Sequence, residues 1–187
     1  MNTMTKRRLI KLAISAVSFV LITIVWPYIQ AKLESHPVTP AGQYYVTKVA
    51  DGDTIEVDMN GTLERVRMIG VDTPETHKPN TPVQCYGPEA SDYTTKLLTH
   101  QNVRLEADPT DDNRDRYDRL LRYVYFNDTL VNKSLIEQGY GFAYTSFPFT
   151  KKVEFMQAQF AAAGKKIGLW ATCHPASNGG RWQSNTL

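Results

Sequence analysis

From Tyr44 onward, apolar and polar side chains alternate with a period of two, and turn signals interrupt the alternation. Tyr44-Tyr45-Val46-Thr47-Lys48-Val49 is β-prone, residues 54–59 set Ile55, Val57 and Met59 against Thr54, Glu56 and Asp58, and residues 63–71 continue with Val66, Met68 and Ile69. Asn60-Gly61 between the second and third runs is a hairpin signal. The pattern predicts three antiparallel strands in a meander. Residues 76–82, with two prolines and an asparagine, read as a mobile loop. A helix then opens with Pro88 in its first turn and Glu89 at its positive end, with Ala90, Tyr93, Leu97 and Leu98 on its apolar face. Further strands follow at 103–107 and 120–126, separated by a charged loop at 108–118. Short and longer helices at 131–138 and 151–163 are each stopped by a glycine. Five strands with a helix between the third and fourth describe an α+β fold, an OB-type five-stranded barrel with three helices.

The N-terminus follows a different pattern. Lys6, Arg7, Arg8 and Lys11 precede an uncharged stretch of twenty residues, 12–31, which as a helix would reach about 30 Å and span a bilayer. An uncleaved signal anchor and a cleaved signal peptide ending near Ala31 share this pattern, and both place the following domain outside the cytoplasm. Residues 32–43, with two Pro and one Gly, read as a linker, 44–172 as the globular domain and 173–187 as a C-terminal tail. The tail from Ala176, with its Gly179-Gly180-Arg181-Trp182, is expected to be disordered.

Composition sharpens this division. The 187-residue chain carries a net charge of +2, but five of its 21 basic residues and one of its 19 acidic residues lie in the first forty. The remainder is slightly acidic, so bulk positive charge cannot hold a nucleic acid. Such a ligand would need a local site and a bound cation. The two cysteines, Cys85 and Cys173, are an even number in a chain read as exported, which suggests a disulfide, with two buried thiols as the alternative.

The candidate chemistry lies between Ala50 and Glu75. Two clusters, Asp51-Gly52-Asp53-Thr54 and Val71-Asp72-Thr73-Pro74-Glu75, flank the strand that carries Arg67. Carboxylate and carbonyl oxygens suit a hard cation, and a guanidinium matches the fork geometry of a phosphate. On its own, Asp51-Gly52-Asp53 would be read as a turn, and Arg67 as a partner of Glu56 or Glu64.

Four motifs in order carry a family resemblance: residues 49–54, residues 67–75, Tyr86-Gly87-Pro88-Glu89-Ala90 and Asp115-Arg116-Tyr117-Asp118-Arg119-Leu120-Leu121. Over residues 44–170 the chain resembles the staphylococcal nuclease family. The resemblance implies Ca2+-dependent cleavage of DNA and RNA with little sequence preference. It further implies that Asp53, Asp72 and the Thr73 carbonyl hold the ion, with Asp51 tuning the site, and that Glu75 acts as general base. By the same likeness Arg67 and Arg119 contact the scissile phosphate, while Arg116 and Tyr117 hold a neighbouring phosphate and sugar. No protein partner is implied, and a monomer is expected. The membrane is a partner only if residues 12–31 are retained. Asp118 stands where the family commonly has Gly, which requires a tolerated Cβ or a left-handed aspartate. A non-catalytic barrel that binds single-stranded nucleic acid or a protein is the alternative reading. Such a module would be expected to lack some of Asp53, Asp72, Glu75, Arg67 and Arg119, and this chain has all five.

Overall fold

The computed structural model of the chain describes Trp26 and residues 42–76 and 82–187. The chain divides into two units, Met1–Val38 and Thr39–Leu187. Apart from Trp26, the expected span 12–31 lies outside the described residues, as do the linker up to Ala41 and residues 77–81 of the polar loop. Among the described residues no helix is long and apolar enough to cross a membrane.

The second unit is built on a closed barrel. Strands β1 (Tyr44–Asp51), β2 (Thr54–Met59) and β3 (Thr62–Met68) form the antiparallel meander, with Asn60 and Gly61 turning between the last two. After β4 (Val71–Asp72), helix α1 (Gly87–Leu98) leads to β5 (Asn102–Glu106), which pairs with β1. Strand β6 (Leu120–Phe126) pairs antiparallel with β5 and parallel with β3, at Val66↔Leu120 and Arg67↔Leu121. This last pairing closes the barrel, and it also sets the chain at Arg119 beside Arg67. Inward-facing Val46, Ile55, Val57, Val66, Val103 and Val124 are fully buried, as the period-two pattern requires.

The expected run 63–71 is broken in the structure. Gly70 turns the chain at φ +72°, and a Cβ there would lie 2.7 Å from the Phe149 ring, so the strand ends at Met68 and restarts as β4. Strand β4 pairs with β8 (Phe142–Ala143), which follows β7 (Thr129–Leu130) and α2 (Val131–Glu137). Helix α3 (Lys152–Gly164) buries Phe155 against the barrel, and a fourth, short helix α4 (Leu169–Thr172), absent from the sequence reading, follows it.

The C-terminal tail is ordered, contrary to expectation. Strands β9 (Ala176–Asn178) and β10 (Arg181–Gln183) form a hairpin turned by Gly179 and Gly180 at φ +58° and +86°, the two positive φ angles of a tight hairpin turn. A disulfide between Cys85 and Cys173, with Cα atoms 5.9 Å apart, anchors its base. The Trp182 ring packs edge-on against Trp170 at 5.1 Å, and the Cys85 N–H donates to the Asn185 carbonyl at 2.8 Å. Burial of one tryptophan face and a covalent anchor outweigh the flexibility of the glycine pair.

One buried carboxylate belongs to the fold alone. Asp108, at 5% exposure, accepts hydrogen bonds from the Thr110 N–H and hydroxyl (2.8 and 2.6 Å), the Tyr123 hydroxyl (2.6 Å), and the Thr150 N–H and hydroxyl (2.7 and 2.6 Å). Burial by itself raises its pKa, but bonds from Thr110, Thr150 and Tyr123 to the charged form outweigh that and hold it well below the usual carboxylate range. Stability from a depressed native pKa is fully present above the unfolded value, near 3.9, and is lost as pH falls through the native one. Asp108→Asn should therefore cost about 3 kcal/mol at neutral pH, because an amide cannot accept this many bonds. The gap to wild type should narrow below pH 4. Urea titrations at pH 7 and pH 3 check both statements.

Candidate active site

The break at Gly70 assembles the site. Arg67 at the end of β3 turns inward, and its Nη1 donates to the carbonyls of Val71 (2.7 Å) and Met68 (3.0 Å). The same nitrogen lies 3.1 Å from Asp53 Oδ2, and Nη2 lies 3.2 Å from Asp72 Oδ1. The alternative partners are engaged elsewhere: Glu64 forms a two-pronged pair with Arg114 at 2.9 Å for each oxygen, and Glu56 accepts from the Thr47 hydroxyl. Arg67 thus joins both acidic clusters, with only 13% of its side chain exposed.

Asp53 is buried, and its Oδ2 also accepts the Thr73 N–H at 3.0 Å. Asp72 has a pKa raised by burial, which outweighs the opposing Arg67 and is reinforced by Asp53. Asp51 is pushed up to about 7, first by burial, then by the Asp53 charge, with Glu75 among the smaller causes. Glu75 therefore faces Asp51, and its backbone is fixed through Gln84: the Glu75 N–H donates to Gln84 Oε1 at 2.8 Å and its carbonyl accepts the Gln84 N–H at 2.9 Å.

The arrangement fits a divalent cation. Among the described residues no three His, Cys, Asp or Glu side chains gather closely enough to hold a metal unaided. The donors at hand are the pair Asp53 and Asp72, with Thr73 next to Asp72 in the chain and its N–H on Asp53. Thr73 is buried, and its hydroxyl finds no hydrogen-bond partner among the described residues. Two carboxylates that share one guanidinium, with the Thr73 backbone bonded to one of them and its buried hydroxyl left without a partner, form an oxygen-rich set that suits a hard ion with waters in its shell.

The second arginine arrives from the loop before β6. Arg119 Nε and Nη2 grip Asp115 Oδ2 at 2.7 and 2.6 Å, while Nη1 reaches Thr54 Oγ1 at 3.5 Å. The Thr54 hydroxyl in turn donates to Asp53 Oδ1 at 3.0 Å, linking Arg119 to the first cluster. Asp115 Oδ1 also accepts the backbone N–H groups of Tyr117 and Arg119, so one carboxylate organises the whole turn. Its partner role was hidden in the sequence, where only the four-residue Asp-to-Arg spacing hinted at it. Asp118 takes the left-handed conformation at φ +63° with its side chain in solvent, so the turn is kept without glycine.

Arg116 and Tyr117 extend this face outward. The Arg116 Nη2 donates to the Tyr117 hydroxyl at 2.8 Å, and the Tyr117 ring, 61% exposed, lies 5.4 Å from the Arg119 guanidinium. An exposed aromatic ring with two guanidiniums beside it suits a base or sugar and its phosphate. Arg181 was not foreseen at the site at all. It pairs with Asp72 from the C-terminal hairpin, at 2.9 Å, and lies 5.0 Å from the Tyr144 ring.

Comparison with known proteins points the same way. The family model described as "Staphylococcal nuclease homologue" matches residues 65–172. The thermonuclease of Staphylococcus hyicus is 43% identical over 162 residues, which cover 81% of this chain and 94% of that protein. The thermonuclease of Staphylococcus intermedius is 48% identical over 128 residues, 68% of this chain and 75% of its own length. A prophage-derived endonuclease of Bacillus subtilis is 40% identical over 126 residues, 66% of this chain and 42% of the relative.

Proposed function

We propose that this chain, which belongs to the staphylococcal nuclease family, is a Ca2+-dependent nuclease that hydrolyses phosphodiester bonds of DNA and RNA with little sequence preference. The observation that carries the reading is the joint hold of Arg67 on Asp53 and Asp72, at 3.1 and 3.2 Å. Asp53, Asp72 and the Thr73 carbonyl would hold the ion. An ion bound there would supply positive charge to offset the charge that builds on the phosphate. Glu75 orients a water and takes its proton during in-line attack on phosphorus. Arg67 and Arg119 face the equatorial oxygens, where negative charge builds, and their carboxylate and carbonyl partners hold them in place beforehand. Arg116 and Tyr117 grip the next phosphate and its sugar. These contacts ignore base identity, which accounts for weak sequence preference.

We place the reaction outside the cytoplasm. The basic residues ahead of the apolar stretch 12–31 support this, as does the Cys85–Cys173 disulfide, a bond that persists in oxidising compartments. The decisive test is incubation of the purified chain with single-stranded DNA and Ca2+, with chelator as control. Cleavage that stops on chelation is expected. Intact DNA across a calcium and pH series would leave a nucleic-acid-binding barrel as the reading.

Asp115 gives a separate check on the phosphate contacts. It touches no substrate in this scheme and acts by positioning Arg119. Asp115→Ala should lower kcat by about 10–100-fold with a small change in KM, since the arginine is retained but no longer held in position. Steady-state kinetics on a defined oligonucleotide separate the two constants.

A further inference from the structure

Arg181 has no place in the sequence motifs, and yet it lies on a proposed cation ligand. Its Nη2 and Nε are 2.9 and 3.3 Å from Asp72 Oδ2, while Arg67 holds Oδ1 at 3.2 Å. Guanidinium groups therefore occupy both oxygens of this carboxylate. The hairpin that delivers Arg181 is fastened to the body of the domain on several sides. The disulfide fixes its base, Trp182 packs on Trp170, and the Ser184 hydroxyl donates to the Cys85 carbonyl at 2.8 Å. The Leu187 N–H donates to the Val83 carbonyl at 3.0 Å, tying down the end of the chain. The backbone is anchored, whereas the Arg181 side chain is 46% exposed and free to leave Asp72 without unfolding anything.

We propose that Arg181 sets the cation requirement of the site by competing with the ion for Asp72. A positive ion held by Asp72 would lie within a few ångströms of a guanidinium bonded to the same carboxylate, and the two repel. Arg181 must swing away, or share the carboxylate at a cost, before the ion is fully held. The Tyr144 ring, with its centroid 5.0 Å from the Arg181 guanidinium, offers it a resting place on the same face once Asp72 is released. Arg67 differs, because two backbone carbonyls fix it and its proposed role is to stay for the phosphate. A weakened site loads at the calcium levels of extracellular modules, roughly 10⁻⁴–10⁻³ M, and stays empty at the far lower levels that cytosolic sites sense. The proposal rests on the calcium reading given above.

Calorimetric titration of Ca2+ into the full chain in detergent micelles, with no nucleic acid present, tests it. Arg181→Ala should bind Ca2+ about tenfold more tightly than wild type, whereas Arg181→Lys, which keeps the charge, should stay within about threefold. Circular dichroism confirms that the variants retain the fold. Wild-type binding that Arg181→Ala leaves unchanged or weakens overturns the competition while the calcium reading stands. Equal tightening by the lysine variant also overturns it, because charge would then not be the cause. If neither wild type nor variant takes up Ca2+ at millimolar levels, the calcium reading itself fails, and this inference falls with it.

Discussion

Arg67→Ala is expected to lower kcat by about 10³-fold on single-stranded DNA at saturating Ca2+, with the barrel intact by circular dichroism. The size follows from what this one side chain does. It bonds two carbonyls and two carboxylates from the β1–β2 turn, β3 and β4, so it is already fixed before any substrate arrives. A group held in advance contributes to the transition state without a reorganisation cost. Lysine should not restore activity, since one ammonium cannot reproduce the planar fork that spans these acceptors. A second consequence separates this residue from an ordinary structural arginine. Its removal leaves Asp53 and Asp72 close together without their shared counter-charge, which destabilises the protein in chelator. Added Ca2+ should return much of that stability by occupying the same carboxylates. Thermal melts with chelator and with Ca2+ measure this directly. Activity within tenfold of wild type would remove Arg67 from the proposed chemistry.

How much of this was legible beforehand depended on whether the signal was local. The barrel strands were readable because a half-buried strand imposes alternation, and Asn60-Gly61 announced its own turn. Helix α1 was readable from Pro88 and Glu89 for similar reasons. The break between β3 and β4 was not, because Met68, Ile69 and Val71 continue an apolar run. Gly70 is dictated by two phenylalanine rings, Phe149 and Phe155, about eighty residues away in sequence. Yet that break turns Asp72 towards Arg67. Asp115 and Arg181 were missed for the same kind of reason. Each is an ordinary charged residue until the fold sets it against a partner, and Arg181 meets Asp72 across 109 positions. Arg114 and Arg122 show the converse. They lie in the same charged stretch as Arg116 and Arg119, but Arg114 is spent on Glu64 and Arg122 on Asn113.

Removing the disulfide, as Cys85→Ala with Cys173→Ala, should cost about 4 kcal/mol and lower the melting temperature by roughly 10 °C. The bond closes a loop of 88 residues, long enough for a large restriction of the unfolded chain. The loss should also be distributed unevenly. The barrel core, with Val46, Ile55, Val57 and Val66 fully buried, does not touch the bridge, whereas the C-terminal hairpin depends on it. Without the bridge, that segment rests on the Ser184 bond to the Cys85 carbonyl, the Cys85 and Leu187 backbone bonds to Asn185 and Val83, the Trp170–Trp182 contact and the exposed Arg181–Asp72 pair. Amide hydrogen exchange should therefore accelerate most over residues 174–187, and by much less in β1 to β3. Both cysteines are buried, so mild reductant should act slowly on the native protein and the paired substitution is the cleaner test. A melting temperature within about 2 °C of wild type, or exchange that rises evenly across the barrel, would show that the hairpin is held by its own packing.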